Sequence, residues 1–166
     1  MKFDPSIVQT RYESPLGPMI VAATDKGLAG LWFDGQRHLP NTLDWPHEAD
    51  HPVLTKAVKQ LREYFDGKRE TFDLPLDLQG GTAFQQSVWQ ALLKIRSGET
   101  TSYGQLSKLI GKPAAVRAVG AAVGRNPVSV IVPCHRVVGG DGSLTGYAGG
   151  LDRKTALLKL EGATLL

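Results

Sequence analysis

The sequence holds a single cysteine among its 166 residues, and aromatic residues make up only 7% of it. One cysteine excludes an internal disulfide and any zinc site built from several thiolates, so nothing points to an oxidising compartment. Apolar runs long enough to span a membrane are also missing. The opening residues, Met1-Lys2-Phe3-Asp4-Pro5, lack the apolar stretch a secretion signal needs. No internal repeat and no low-complexity segment is present. These absences lead to the expectation of a soluble, cytoplasmic protein with no resident metal or cofactor. What is there is ample for a core: 42% of the residues are hydrophobic, enough for one domain or two small ones.

Charge is unevenly placed. Residues 1–82 carry 9 Lys/Arg against 12 Asp/Glu, a net of −3. Residues 83–166 carry 10 against 4, a net of +6, which together make the overall +3. Only the second half has the field that attracts phosphates.

Patterning divides the chain in the same place. Ile7–Tyr12 reads as a strand, Ser14-Pro15-Leu16-Gly17-Pro18 as a turn, and Met19–Ala23 with Leu28–Phe33 as a hairpin around Asp25-Lys26-Gly27. Residues 34–52 read as a loop. Leu54, Val58, Leu61 and Phe65 recur at helical spacing, with Gly67 as a stop. Phe72–Leu78 reads as a last strand interrupted by Pro75, and Gln79-Gly80-Gly81 as a linker. Two domains follow, 1–80 and 81–166.

The second domain reads as mostly helical. Thr82 and Gln85 form a capping box for a helix carrying Phe84, Val88, Leu92 and Ile95 and ending at Gly98. Ser102 and Gln105 cap a shorter helix with Leu106, Leu109 and Ile110, stopped by Gly111. Pro113 opens a helix over residues 114–124. Two short helices around a Gly-containing turn are the pattern of a helix-turn-helix. A strand Val128–Val132, a turn at residues 139–142 and a helix Asp152–Leu160 complete an α+β fold, its second domain winged-helix-like.

The lone Cys134 stands in Val130-Ile131-Val132-Pro133-Cys134-His135-Arg136-Val137-Val138. A solitary cysteine is ordinarily a small buried apolar residue. Here His135 and Arg136, which follow it, are the side chains best able to hold a thiolate, the nucleophilic form.

This signature, with Asn126-Pro127 before it and Gly146-Tyr147-Ala148-Gly149-Gly150 after it, resembles the active site of the O6-alkylguanine-DNA alkyltransferases. The resemblance is strongest from Gly81 to Gly162 and fainter from Ser14 to Phe33. It implies transfer of an alkyl group, methyl above all, from O6-alkylguanine in double-stranded DNA onto Cys134, with O4-alkylthymine as an alternative base. The reaction would occur once per molecule, carried out by a monomer.

The resemblance also assigns roles. His135 and Glu161 would form a relay to Cys134, although neighbours in an extended strand face opposite ways, so the contact needs a local turn or a bridging water. Tyr103 would assist the leaving guanine, and Asn126 would be the hinge before the active-site strand. The helix with Ala115, Arg117, Ala118, Gly120 and Ala121 would enter the minor groove, Arg117 filling the gap left by the flipped base. Pro133, Val137, Tyr147, Ala148 and Gly149 would line the base pocket, the Cys134 and Val137 carbonyls accepting its exocyclic amine. Some family members carry Ser where this chain has Ala148, so no hydroxyl serves O6 there.

Two other readings use the same residues. A cysteine hydrolase would turn over a peptide or ester, but the motif lacks the second His or Asn such peptidases use. A helix-turn-helix protein that only binds DNA would have no need of Cys134. One further motif, His47-Glu48-Ala49-Asp50-His51, matches the H-E-x-x-H zinc pattern. That pattern requires a helix, and here it lies between Pro46 and Pro52, so a solvated loop is expected.

Overall fold

The computed structural model describes residues 1–164. Strands β1 (Val8–Ser14), β2 (Gly17–Thr24) and β3 (Gly27–Phe33) form an antiparallel meander. Because side chains alternate across a strand, Met19, Val21 and Ala23 face one side of the sheet, and Ile20 and Ala22 the other. Helix α1 (Pro52–Phe65) covers the first side with Leu54, Ala57 and Leu61. Phe3, Leu39 and Trp45 cover the second, so the expected loop over 34–52 supplies a small apolar lid. Gly67 and Gly111, at φ +75°, end α1 and the helix over residues 103–109 as their sequence positions suggest.

Helix α2 (Ala83–Leu92) and helix α3 (Tyr103–Leu109) begin with complete capping boxes, Thr82 with Gln85 and Ser102 with Gln105. Helix α4 (Val116–Gly124) packs on both. Fully buried Trp89 ties α2 to α4 by donating Nε1–H to the Ala122 carbonyl at 2.8 Å. Strands β4 (Thr101–Ser102) and β5 (Val137–Val138) pair in parallel, and α5 (Leu151–Leu160) closes the fold. Both halves contribute to one continuous core, from Val8 and Leu31 to Val119 and Leu157.

Several elements depart from the expected pattern. Phe72–Leu78 is extended but forms only a single bridge, Leu76 with Leu28, because Pro75 has no N–H to carry a ladder onward. Helix α2 stops at Leu92 and leaves Ile95 in tight turns, Lys94 N–H bonding Ala91 and Ile95 N–H bonding Leu92. The start expected at Pro113 is a turn closed by Ala115 N–H on Lys112, and α4 begins at Val116 without a side-chain cap.

The largest departure is Val128–Val132, which is no strand. Only Val128 bridges the sheet, through Leu31. Asn126 draws the rest into a loop: its Oδ1 accepts from Val128 N–H at 3.0 Å, and its Nδ2 donates to the Val132 carbonyl at 2.7 Å. Val130 sits at φ +71°, a conformation its branched side chain strongly disfavours.

Candidate active site and nucleic-acid interface

Pro133 ends that loop, and residues Cys134–Arg136 form one 3-10 turn. Successive side chains are therefore splayed by about a third of a circle rather than pointing to opposite faces. Cys134 is buried beside a cavity of about 350 Å³ lined by Tyr103, Gly120, Ala121, Gly146, Tyr147 and Ala148. His135, fully buried, turns the other way, and its Nε2 lies 2.8 Å from Glu161 Oε2.

Glu161, at the C-terminal cap of α5, is where charge converges. Arg136 clamps it with two bonds, Nε to Oε1 at 2.9 Å and Nη2 to Oε2 at 2.8 Å. Tyr64, from α1, donates its hydroxyl to Oε2 at 2.7 Å. Burial pushes the Glu161 carboxyl up, but hydrogen bonds from Arg136 and His135 outweigh it and bring the pKa down to about 2. The carboxylate is ionised and only accepts, so Nε2 must carry the imidazole proton. His135 Nδ1 then presents a lone pair, buried and without a protein partner among the described residues. Burial also lowers the His135 pKa, against the pull of Glu161, so the ring is neutral near pH 7.

The thiol differs from the sequence expectation. Burial pushes Cys134 up, opposed by the Asn126 amide, the charge of Lys154, its own backbone and the Tyr147 hydroxyl. The resting group is therefore the thiol. Arg136 is not available to lower it, since its guanidinium is spent on Glu161 and the Ile95 carbonyl.

Two residues packed against the candidate site escaped the sequence reading. Lys154 is fully buried on α5, and its Nζ donates to the carbonyls of Val137 at 2.6 Å, Thr145 at 3.2 Å and Gly146 at 3.4 Å. Burial lowers its pKa to about 8, while Cys134 pulls it upward. Tyr64 is the other, 97 positions from the carboxylate it binds. A lysine at helical spacing and a tyrosine in an amphipathic helix carry no local signal of such roles.

The remaining expected residues are distributed as follows. Tyr103 lines the cavity, and its hydroxyl accepts from Thr145 Oγ1 at 3.2 Å. Gly149 underlies Tyr147 and Phe33: a Cβ there would stand 2.7 Å from the first ring and 3.0 Å from the second. Val137 is fully buried and does not line the Cys134 cavity; its carbonyl already accepts from Lys154. Pro133 lines a separate cavity of about 390 Å³, because the 3-10 turn carries it to the opposite side. On α4, Arg117, Ala118 and Ala121 are exposed, Ala115 and Gly120 are half-buried, and Val119, Ala122 and Val123 pack inward. The H-E-x-x-H segment is not helical; His51 caps α1, its Nδ1 accepting from Val53 N–H.

A buried thiol at a cavity, beside an exposed helix of small residues and one arginine, marks a candidate thiol site. Comparisons with known proteins agree. A family model described as 6-O-methylguanine DNA methyltransferase, DNA binding domain, matches residues 83–163, and the ribonuclease-like domain model of the same description matches residues 7–78. The methylated-DNA–protein-cysteine methyltransferase of Methanosarcina barkeri is 51% identical over 150 residues, covering 90% of this chain and 93% of that protein. Its namesake from Mycobacterium bovis is 50% identical over 149 residues, covering 90% and 88%. Among solved structures, the Mycobacterium tuberculosis O6-methylguanine methyltransferase aligns with a TM-score of 0.84 at 47% identity, covering 94% of this chain and 93% of that one. A complex of M. tuberculosis OGT with DNA aligns at 0.83 and 47%, covering 94% and 92%. The chain belongs to the 6-O-methylguanine DNA methyltransferase family.

Proposed function

We propose that the protein repairs DNA by direct reversal, taking the alkyl group from O6-alkylguanine, methyl above all, onto Cys134 and keeping it. The carrying observation is that the only thiol of the chain lies at a cavity walled by α4 and backed by an oriented His135–Glu161 pair. The relatives' names and the DNA-bound neighbour support DNA as the partner.

An unperturbed thiol, of pKa about 8.5, is only a few per cent ionised at pH 7, and burial reduces that further. His135 Nδ1 takes the proton through a bridging water, and Glu161 stabilises the imidazolium that forms. Lys154, Asn126 and Tyr147 stabilise the thiolate. The sulfur then bonds to the alkyl carbon as the carbon–O6 bond breaks, and the electron pair stays on guanine O6. Tyr103 supplies the proton that neutralises the departing base. The thioether has no leaving path, so each molecule acts once.

Arg117 occupies the stack vacated by the flipped base, and Ala115, Ala118, Gly120 and Ala121 let α4 approach the minor groove. Residues 1–80 and 81–166 act as two domains of a monomeric cytoplasmic protein, with α3 and α4 as the helix-turn-helix. Among the described residues, no helix is long and apolar enough to cross a membrane.

Methylated duplex in excess tests the reading. Repair should plateau at one lesion per molecule, with the intact mass raised by one methylene equivalent at Cys134. Continued turnover, or an adduct on another residue, would refute it. Cys134→Ala should abolish transfer and keep DNA binding.

A further inference from the structure

The rim of the Cys134 cavity draws positive charge from both halves of the chain. Arg37 and His38, in the loop after β3, line it together with Arg125, which follows α4. His38 and Arg125 also line a neighbouring cavity of about 480 Å³, so they stand on the ridge between the two. All three side chains are exposed, and none forms an ion pair among the described residues. Asp34, the acid of the same loop, is engaged by Arg11 at 3.2 Å and does not neutralise them. Partial burial, then Arg125 and Arg37, push His38 below the ordinary imidazole value.

The loop is held in place rather than left to wander. Buried Gln36 accepts from Phe33 N–H at 2.9 Å and donates to the Arg37 carbonyl at 3.2 Å. Arg37 N–H donates to the Ala148 carbonyl at 3.1 Å, joining the loop to the wall of the pocket. His38 adopts φ +61°, a conformation non-glycine residues visit rarely and functional sites retain. Holding Arg37 and Arg125 at one cavity rim is unfavourable unless an anion meets them. The rim also continues α4: Arg117, Ala121 and Arg125 follow at four-residue steps, placing an arginine at each end of its exposed face.

We infer that Arg37, His38 and Arg125 form a phosphate clamp at the cavity rim, gripping the backbone of the DNA strand that carries the alkylated base. The inference rests on the repair reading above. It gives the acidic N-terminal half a direct part in DNA binding through one short loop. Arginine supplies the planar, fork-shaped donor set that phosphate oxygens match, and such contacts set register without reading sequence.

The test is anisotropy titration of an undamaged duplex over a salt series, with wild-type melting temperature required of each variant. Arg37→Ala with His38→Ala should lose about tenfold in affinity, and the log–log salt slope should shrink by about 0.9 for each phosphate contact removed. Arg37→Lys should keep the slope. Arg125→Ala, on the other side of the rim, should lose a similar amount, and covers the case in which the loop variant melts early. Repair of methylated duplex should fall further than reaction with free O6-benzylguanine, which has no phosphate.

Unchanged affinity and slope would overturn the clamp, and equal losses on duplex and free base would make these residues a gate instead. Inorganic phosphate, compared with chloride at equal ionic strength, should not displace the duplex; selective displacement would make this a site for the free ion. Wild-type protein that takes no methyl onto Cys134 would defeat the repair reading itself. Normal transfer with unaltered binding by the double variant would defeat the clamp alone.

Discussion

Two tyrosine hydroxyls are buried beside the cluster of Cys134, His135 and Glu161, and they are spent differently. Tyr64, from the N-terminal half, gives its proton to Glu161, a carboxylate that also receives Arg136 and His135. Tyr147, from the pocket loop, stands near enough to Cys134 to lower its thiol pKa, and its buried hydroxyl and His135 Nδ1 have no protein hydrogen-bond partner among the described residues. Burial raises both hydroxyl pKa values far above the ordinary range, so both protons stay on oxygen. On the Glu161 side every polar group is matched, which fixes the geometry. On the Cys134 side the Tyr147 hydroxyl and His135 Nδ1 lack a protein partner among the described residues. The difference teaches that position is fixed where protein donors close a network around one carboxylate, while Cys134 sits against an open cavity.

Substitutions should expose that contrast, the largest effect coming where the two sides meet. Glu161→Gln leaves Arg136 buried without its counter-charge and deprives His135 of its acceptor. Melting curves should show a loss of about 3–5 kcal/mol, and single-turnover repair should slow at least a hundredfold. Lys154→Met comes next. Three carbonyls lose their donor and the thiolate loses a nearby cation, so about 2–3 kcal/mol of stability and roughly tenfold in rate should go.

Tyr64→Phe keeps shape and removes one donor to a charged group, costing about 1.5–3 kcal/mol in urea unfolding. Acid should act on the same side. The folded Glu161 pKa is depressed to about 2 from 4.5, so its stabilisation is fully present above the ordinary Glu range and disappears as pH falls through 4.5 toward 2. Glu161→Gln should flatten that part of the stability–pH curve. The smallest stability change belongs to Tyr147→Phe, within about 0.5 kcal/mol because no bond is lost. Its signature should be chemical: alkylation of Cys134 by iodoacetamide should require higher pH than in wild type.

Much of this arrangement could be read from the residues. The Asp25-Lys26-Gly27 hairpin and both capping boxes announce themselves by local chemistry, and local chemistry decides them. The grouping of Cys134, His135 and the distant Glu161 came from a signature resemblance, which carries long-range information that periodicity lacks. Val128–Val132 misled because a β-branched run is the strongest strand signal, while the decisive force is one amide, Asn126, wrapping the segment around itself. Phe72–Leu78 misled for the opposite reason, a real strand propensity stopped by one missing N–H. Tyr64 and Lys154 were illegible because their partners are set by tertiary packing alone.

Leu31 has a consequence for the chain as a physical object. Its N–H donates to the Pro127 carbonyl at 2.8 Å, and its carbonyl accepts from Ser129 N–H at 3.0 Å. The central sheet thus ends by pairing with the segment that delivers Cys134, Leu31 bridging Val128. A nick in the Gln79–Gly81 linker would leave this junction intact, and the two fragments should stay together as a complemented pair. Neither fragment made alone would find its missing edge. The molecule would then be assembled late and all at once, its reactive turn set only when the last long-range pairing closes.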